Sequence, residues 1–185
     1  MKLDLFSIPI VIENIDLERI KLEPLKLDRK WLSETPTSHG GQNILDPESY
    51  RYLMFKLSGM LEKIVPNNMT IKLEGVWVNR YDKDDYQDNH FHPGSHFSFI
   101  IYVKGSSRTV FFPPGKYLID SFYSFNLFQN SFEPNCQPGQ ILIFPSFLEH
   151  MVKKSSDMVT YSGNLSIVEF DKRTIKVMED KNGNK

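Results

Sequence analysis

Three histidines crowd into nine residues, "NHFHPGSHF" at positions 89–97, in a chain of 185 residues that has five in all. In extended backbone, residues two apart point to the same side. His90 and His92 therefore aim two imidazoles at one point, and Phe91 turns the other way into packing. Pro93-Gly94 then bends the chain, so a third ligand has to come from elsewhere. The candidate is His150, in "PGQILIFPSFLEHMV", where a strand ends at Phe144-Pro145, a short turn follows and a histidine opens the next element. Two ligands from one strand and a third from a distant one make a facial three-ligand metal site, with the other coordination positions open for water, substrate or O₂. His96 lies beyond the bend. It is read as a hydrogen-bonding support or a substrate contact rather than a fourth ligand, because the turn breaks its alignment with the pair. His39 sits in a loop and is read as unrelated.

Such a site needs strands to hold it. Asp46 suits a helix N-cap, Pro47 the first helical position and Glu48 the first turn. Tyr50, Leu53, Met54, Leu57, Leu61 and Ile64 follow at helical spacing, and Pro66-Asn67-Asn68 closes the helix. Before it, "LFSIPIVIENI" suggests a short strand and turn, and "TPTSHGGQN" (35–43) a loop. After it the period changes to two. "TIKLEGVWVNRY", the alternation of Phe97, Phe99, Ile101 and Val103, then "RTVFF", "QILIFP" and "GNLSIVEF" read as successive strands. Residues 113–139, rich in Phe and Pro with weak periodicity, read as a long inserted loop. The pattern predicts one domain over 1–175, with an N-terminal strand and helix cap over 1–68, a β core over 69–175, and a disordered tail at 176–185. A sandwich or barrel with helices on one side fits it.

Composition narrows the partners. A net charge of −1 supplies no basic field for nucleic acid or an anionic membrane, and "RTVFF" and "KK" make no basic stripe. The N-terminal apolar stretch is broken by Asp4 and Pro9, unlike a signal peptide, and no later segment is long enough to span a bilayer. The single cysteine, Cys136, cannot form an internal disulfide, which fits a reducing cytoplasm, and it leaves any metal site to His, Asp and Glu.

Taken together, "WVNRYDKDDYQDNHFHPGSHFSFIIYVK" and "QILIFPSFLEHMV" resemble the 2-oxoglutarate/Fe(II)-dependent oxygenases of tailed phages, marine ones especially, and of bacteria. The shared pattern is W-x-N, then H-x-H-P with a following strand ending in Tyr, then G-x-x-x-x-F-P-S with a histidine four residues after the Ser. "LFSIP" and "WLSET" also match, so the resemblance spans most of the chain. It implies a mainly β fold, a double-stranded β-helix (cupin-like jelly roll) with an N-terminal helical cap, an Fe(II) centre and 2-oxoglutarate as cosubstrate. It places His90, His92 and His150 at the metal positions, and Trp77, Asn79 and Tyr102 at framework or pocket positions. For a phage-encoded protein the compartment is the host cytoplasm.

The chain departs from the wider superfamily in two ways. His92 stands where that superfamily uses a carboxylate, and the nearest acids in sequence are Asp88 and Glu149. The stretch after the last histidine, "SSDMVTYSGNLSI", has no cation to anchor the distal carboxylate of 2-oxoglutarate. Thr160, Tyr161, Ser162 and Asn164 offer only neutral hydrogen bonds. Arg108 in "SSRTVFF" is the best substitute, ahead of Lys104 and Lys154, so the expected cosubstrate set is Arg108, Tyr102 and Asn164. The leading function is an oxygenase that hydroxylates a small molecule or a protein side chain, with the aromatic stretch around Phe111–Phe132 shielding the reaction from water. The alternative is a cupin-like metal- or ligand-binding jelly roll without 2-oxoglutarate turnover, such as a phage structural or accessory protein. A homodimer is expected, since jelly rolls often pair.

Overall fold

In the computed structural model, which describes residues 7–22, 27, 29–30, 35–40, 45–65, 69–122 and 130–170, Asp46 opens the main helix. Its carboxylate accepts from the backbone N–H of Glu48 (2.9 Å) and of Ser49 (3.1 Å), satisfying two donors at the start of α1 (Pro47–Leu61). Leu53, Leu57, Met60 and Leu61 form its buried stripe, and Tyr50 falls outside it. The helix ends at Leu61, short of the expected Pro66. The N–H groups of Lys63 and Ile64 reach back only three residues, to Met60 and Leu61, which tightens the last turn.

The strands are β1 (Val11–Asn14), β2 (Arg29–Lys30), β3 (Pro36–Thr37), β4 (Met69–Tyr81), β5 (Asp85–His90), β6 (Phe97–Lys104), β7 (Thr109–Phe111), β8 (Gln140–Pro145), β9 (His150–Ser155) and β10 (Met158–Phe170). They form a seven-stranded sheet in the order β1-β8-β6-β10-β4-β3-β2 and a three-stranded sheet in the order β5-β9-β7. Every pairing is antiparallel. Two of these strands and one helix fall where the sequence suggested otherwise. β3 lies inside the expected loop 35–43 and pairs with β4 at Thr37↔Asn79. β5 has no hydrophobic alternation, because its inward face meets polar groups. Within 113–139 the chain forms a short helix, α2 (Lys116–Phe122). The tail after Phe170, "WLSE" (31–34) and the helix stop at 66–68 lie outside the described residues.

β6 explains how the layers stack. Phe97, Phe99 and Ile101 join Leu53, Leu57 and Met60 in a core between the large sheet and α1. Ile100 and Tyr102 on its other face join Phe111, Leu142 and Phe144 in a core between the two sheets. The strand is thus buried on both sides, and the apolar alternation in its sequence marks only the helix-facing side. Side chains from both sheets line a common chamber, including Trp77 and Asn79 from β4, His90 from β5 and His150 from β9. No described helix is long and apolar enough to cross a membrane.

β10 passes very close to its neighbours at Gly163. A Cβ there would lie 2.4 Å from Phe99 Cζ and 2.5 Å from the Gly75 carbonyl oxygen, and backbone cannot swing aside as a side-chain tip can. Gly163→Ala is expected to destabilise the protein by about 1–3 kcal/mol, the usual range for overpacking. Thermal unfolding checks this, and an unchanged midpoint would mean that the approach is looser than described.

Candidate metal centre

His90 closes β5 and His150 opens β9, and the sheet register sets them directly opposite each other. Their ring centroids are 4.3 Å apart. His92 follows just past the strand end, where its N–H donates to the Ser146 carbonyl at 2.9 Å. That bond brings its ring to 5.3 Å from His90 and 5.2 Å from His150. All three side chains are buried, with one nitrogen of each within 4.8 Å of the others. Among the described residues no carboxylate joins them. Asp88 is exposed, and Glu149 accepts from the Asn89 amide at 2.6 Å.

Two of the rings are oriented by their own backbone. His90 Nδ1 lies 2.6 Å from the Asp88 carbonyl, and His150 Nδ1 lies 3.0 Å from the Leu148 carbonyl. A carbonyl only accepts, so each Nδ1 carries the proton and each Nε2 presents its lone pair inward. Burial lowers the pKa of all three rings. His92 falls to about 3, with further depression from His90 and His39, and His150 falls well below the usual value, with further depression from His90. At neutral pH the cluster is therefore three unprotonated imidazoles, the form that binds a metal. A buried set of neutral donors with two tautomers fixed fits a divalent ion of the iron or zinc type.

Aromatic groups wall the centre. Phe144 stands 4.9 Å and Phe111 5.6 Å from the His150 ring, and Trp77 stands 5.8 Å from His92. Deeper in, the chamber turns polar. Asn79 accepts from the Thr37 hydroxyl at 2.7 Å and donates to Ser162 at 3.2 Å. The Tyr81 hydroxyl donates to Gln87 at 2.9 Å. Tyr102 sits behind this wall, taking a hydrogen bond from Ser107 at 2.9 Å and lying 3.0 Å from the Thr109 hydroxyl. Burial raises the pKa of both Tyr81 and Tyr102, so both stay protonated.

The structure thus brings His90, His92, His150, Trp77 and Asn79 together around one chamber. Asn164 is tied to it indirectly, accepting from Ser98, whose hydroxyl meets that of Ser146. Arg108 does not reach it. Strand alternation sends Thr109 and Phe111 inward and Arg108 out, where it is half exposed and 3.9 Å from Glu133. Lys104 pairs with Asp157 on the surface, and Lys154 is exposed. His96 is exposed too and faces away from the centre. Its ring accepts from the Ile167 N–H at 3.1 Å in a separate groove that Phe97 and Phe147 also line. Phe91, expected to pack, is 53% exposed and belongs to none of the core clusters among the described residues. His39, read as unrelated, packs edge-on against Trp77 at 4.6 Å. Its only advance signal was the histidine itself. Tyr81, Gln87 and Thr109 were also missed, although Tyr81 shares the parity of Trp77 and Asn79.

Residues 75–160 match a family model described as "Putative 2OG-Fe(II) oxygenase", and that stretch contains all three histidines. Solved structures similar to the chain include an oxidoreductase of the 2OG-Fe(II) oxygenase family from Burkholderia pseudomallei, at 15% identity and a TM-score of 0.51 over 86% of this chain and 73% of that one. HygX from Streptomyces hygroscopicus, solved with nickel, 2-oxoglutarate and hygromycin B, aligns at 12% identity and a TM-score of 0.52 over 88% and 84% of the two chains. A viral collagen prolyl hydroxylase from Paramecium Bursaria Chlorella virus-1, solved with 2OG, aligns at 12% identity and a TM-score of 0.50 over 74% and 80%. No curated protein sequence matches. The fold is the jelly roll that these structures share.

The histidine pKa values set a pH dependence for the metal-free protein. With the folded values below the unfolded value of 6.5, the unfolded chain binds more protons as the medium acidifies. This contribution to stability is complete above about pH 6.5 and is lost on acidification toward the folded values. Urea midpoints of the metal-free protein between about pH 7.5 and 5 should fall, and His92→Gln should flatten the fall. A midpoint independent of pH in the wild type would contradict neutral burial of the rings.

Proposed function

We propose that the chain, a 2OG-Fe(II) oxygenase by its matched core and its three-imidazole centre, is a hydroxylase in which His90, His92 and His150 hold the iron. The observation that carries this reading is the cross-strand pair His90–His150 joined by His92, buried and unprotonated inside the matched segment. When bound there, Fe(II) with 2-oxoglutarate supplies oxidative decarboxylation coupled to attack on a substrate C–H bond. The protein's own part is positioning and exclusion. The Asp88 and Leu148 carbonyls keep the Nε2 lone pairs aimed at the ion. Phe111, Phe144 and Trp77 keep water from its flanks. Asn79, held by Thr37, presents an amide beside the chamber.

The substrate is proposed to be a small molecule or a protein side chain, in keeping with the antibiotic bound by HygX and the collagen named for the viral hydroxylase. A cytoplasmic setting suits iron(II) chemistry and the buried thiol of Cys136. Phage or bacterial kinship rests on the sequence motifs alone, and pairing of two copies stands as an expectation. A second reading, a metal-binding jelly roll without turnover, is favoured by one observation, the replacement of the carboxylate ligand by a third neutral imidazole.

Protein purified without O₂ and loaded with Fe(II) should, once O₂ is admitted, convert 2-oxoglutarate and O₂ to succinate and CO₂ slowly even without substrate. His90→Ala, His92→Ala and His150→Ala should each lower that rate by about 100-fold or more, as expected when metal affinity collapses. Iron-loaded wild type that forms no succinate would favour the second reading.

A further inference from the structure

His92 is the one member of the histidine trio that lies outside a strand. His90 ends β5 and His150 opens β9, whereas His92 enters the turn 92–96 that leads into β6. Both ends of that turn hold the same residue. The His92 N–H donates to the Ser146 carbonyl at 2.9 Å, and the Ser146 N–H donates to the His96 carbonyl at 3.0 Å. Ser146 is fully buried, and its hydroxyl meets that of Ser98 at 2.8 Å. The backbone of Ser146 therefore fixes the backbone of His92, and His96 closes the clamp from the far end of the turn.

His96 is in turn tied to β10 twice. Its N–H donates to the Leu165 carbonyl at 2.9 Å, and its Nδ1 accepts from the Ile167 N–H at 3.1 Å. Regular pairing of β6 with β10 ends at Phe97↔Leu165, so both contacts lie just beyond the ladder. Against β4, β10 shifts register between Asn164 and Leu165 and again between Ile167 and Glu169. Such irregularities interrupt the ladder, and the donors they release need other acceptors. The His96 ring supplies one for Ile167. A ring nitrogen that accepts carries no proton, so His96 is neutral with its proton on Nε2. The ring is exposed and stands in the groove on the far side of Ser146. It reaches the centre only through backbone.

We infer that His96 is a positioning residue for the metal centre. By accepting from Ile167 it pins the turn 92–96 to β10, and through Ser146 it fixes the backbone from which His92 reaches the ion. The inference deepens the functional reading above and rests on its metal centre. Removing a group that orients a metal ligand usually lowers metal affinity by about 10- to 100-fold. Here the support acts on the ligand's backbone rather than on its ring, so the lower end of that range is expected.

The test is titration of the metal-free full chain with Co(II), followed by the visible absorption of the bound ion. His96→Leu and His96→Ala both remove the acceptor, and each should raise the dissociation constant about tenfold. His96→Asn has nearly the shape of His96→Leu but puts an amide oxygen where Nδ1 stood, so its constant should stay within about threefold of wild type. Ile64→Ala trims another wall of the same groove without touching the clamp. It should lower the thermal midpoint and leave Co(II) binding unchanged. Wild-type affinity in His96→Leu and His96→Ala would overturn the inference alone. So would an His96→Asn variant as weak as His96→Leu, or an Ile64→Ala variant that loses as much affinity, because the effect would then be general loosening. Wild-type protein that binds no Co(II) would overturn the functional reading and the inference with it.

Discussion

Burying three imidazoles against one another is the constraint around which the rest of this molecule is arranged. In a dry interior each ring has to be neutral, and each has to point its lone pair where the others do. The register between β5 and β9 meets both demands together. It sets His90 opposite His150, and in each case the carbonyl two residues earlier takes up the Nδ1 proton. A slip of one residue would send one of the pair to the other face of the sheet and leave the other ring buried alone. The register shifts in β5 at Gln87 and His90 are part of this placement, since they let an irregular polar strand present both Gln87 and His90 to the chamber.

The large sheet supplies the rigidity that such a cluster needs. β4 and β10 pair along nearly their whole lengths, and β6 is packed on one face by α1 and on the other by the inter-sheet core. Gly163 marks how little slack remains, with Phe99 and the Gly75 carbonyl both closer than any side chain would tolerate. Against this frame the small sheet and the link through His92 to Ser146 have few ways to shift.

Much of this was legible in the sequence, for identifiable reasons. The helix start was readable because Asp46, Pro47 and Glu48 each have one obvious local role. The histidine cluster was readable because a two-residue spacing in extended backbone is a geometric statement, and His150 followed a strand that had to return to the same place. Long-range pairing was not readable. Polar "DYQDNH" carries no hydrophobic signature, so only its histidine end was read as extended, and neither its start nor its pairing with β9 was. The choice of Arg108 failed by one residue of strand parity, where Thr109 takes the inward position. His39 reaches the centre only because β3 attaches to the edge of β4, a contact that local pattern does not encode.

With a single cysteine, the chain has no internal disulfide available to it. The centre offers a different kind of staple. His90 and His150 lie sixty residues apart in sequence, and an ion gripping both would close that long loop from the side of the unfolded chain's entropy. By the chain-entropy model a permanent link of such length is worth about 4 kcal/mol. The groups proposed to hold the metal are therefore also placed to act as the molecule's crosslink, so the same histidines can bear on how long the protein lasts.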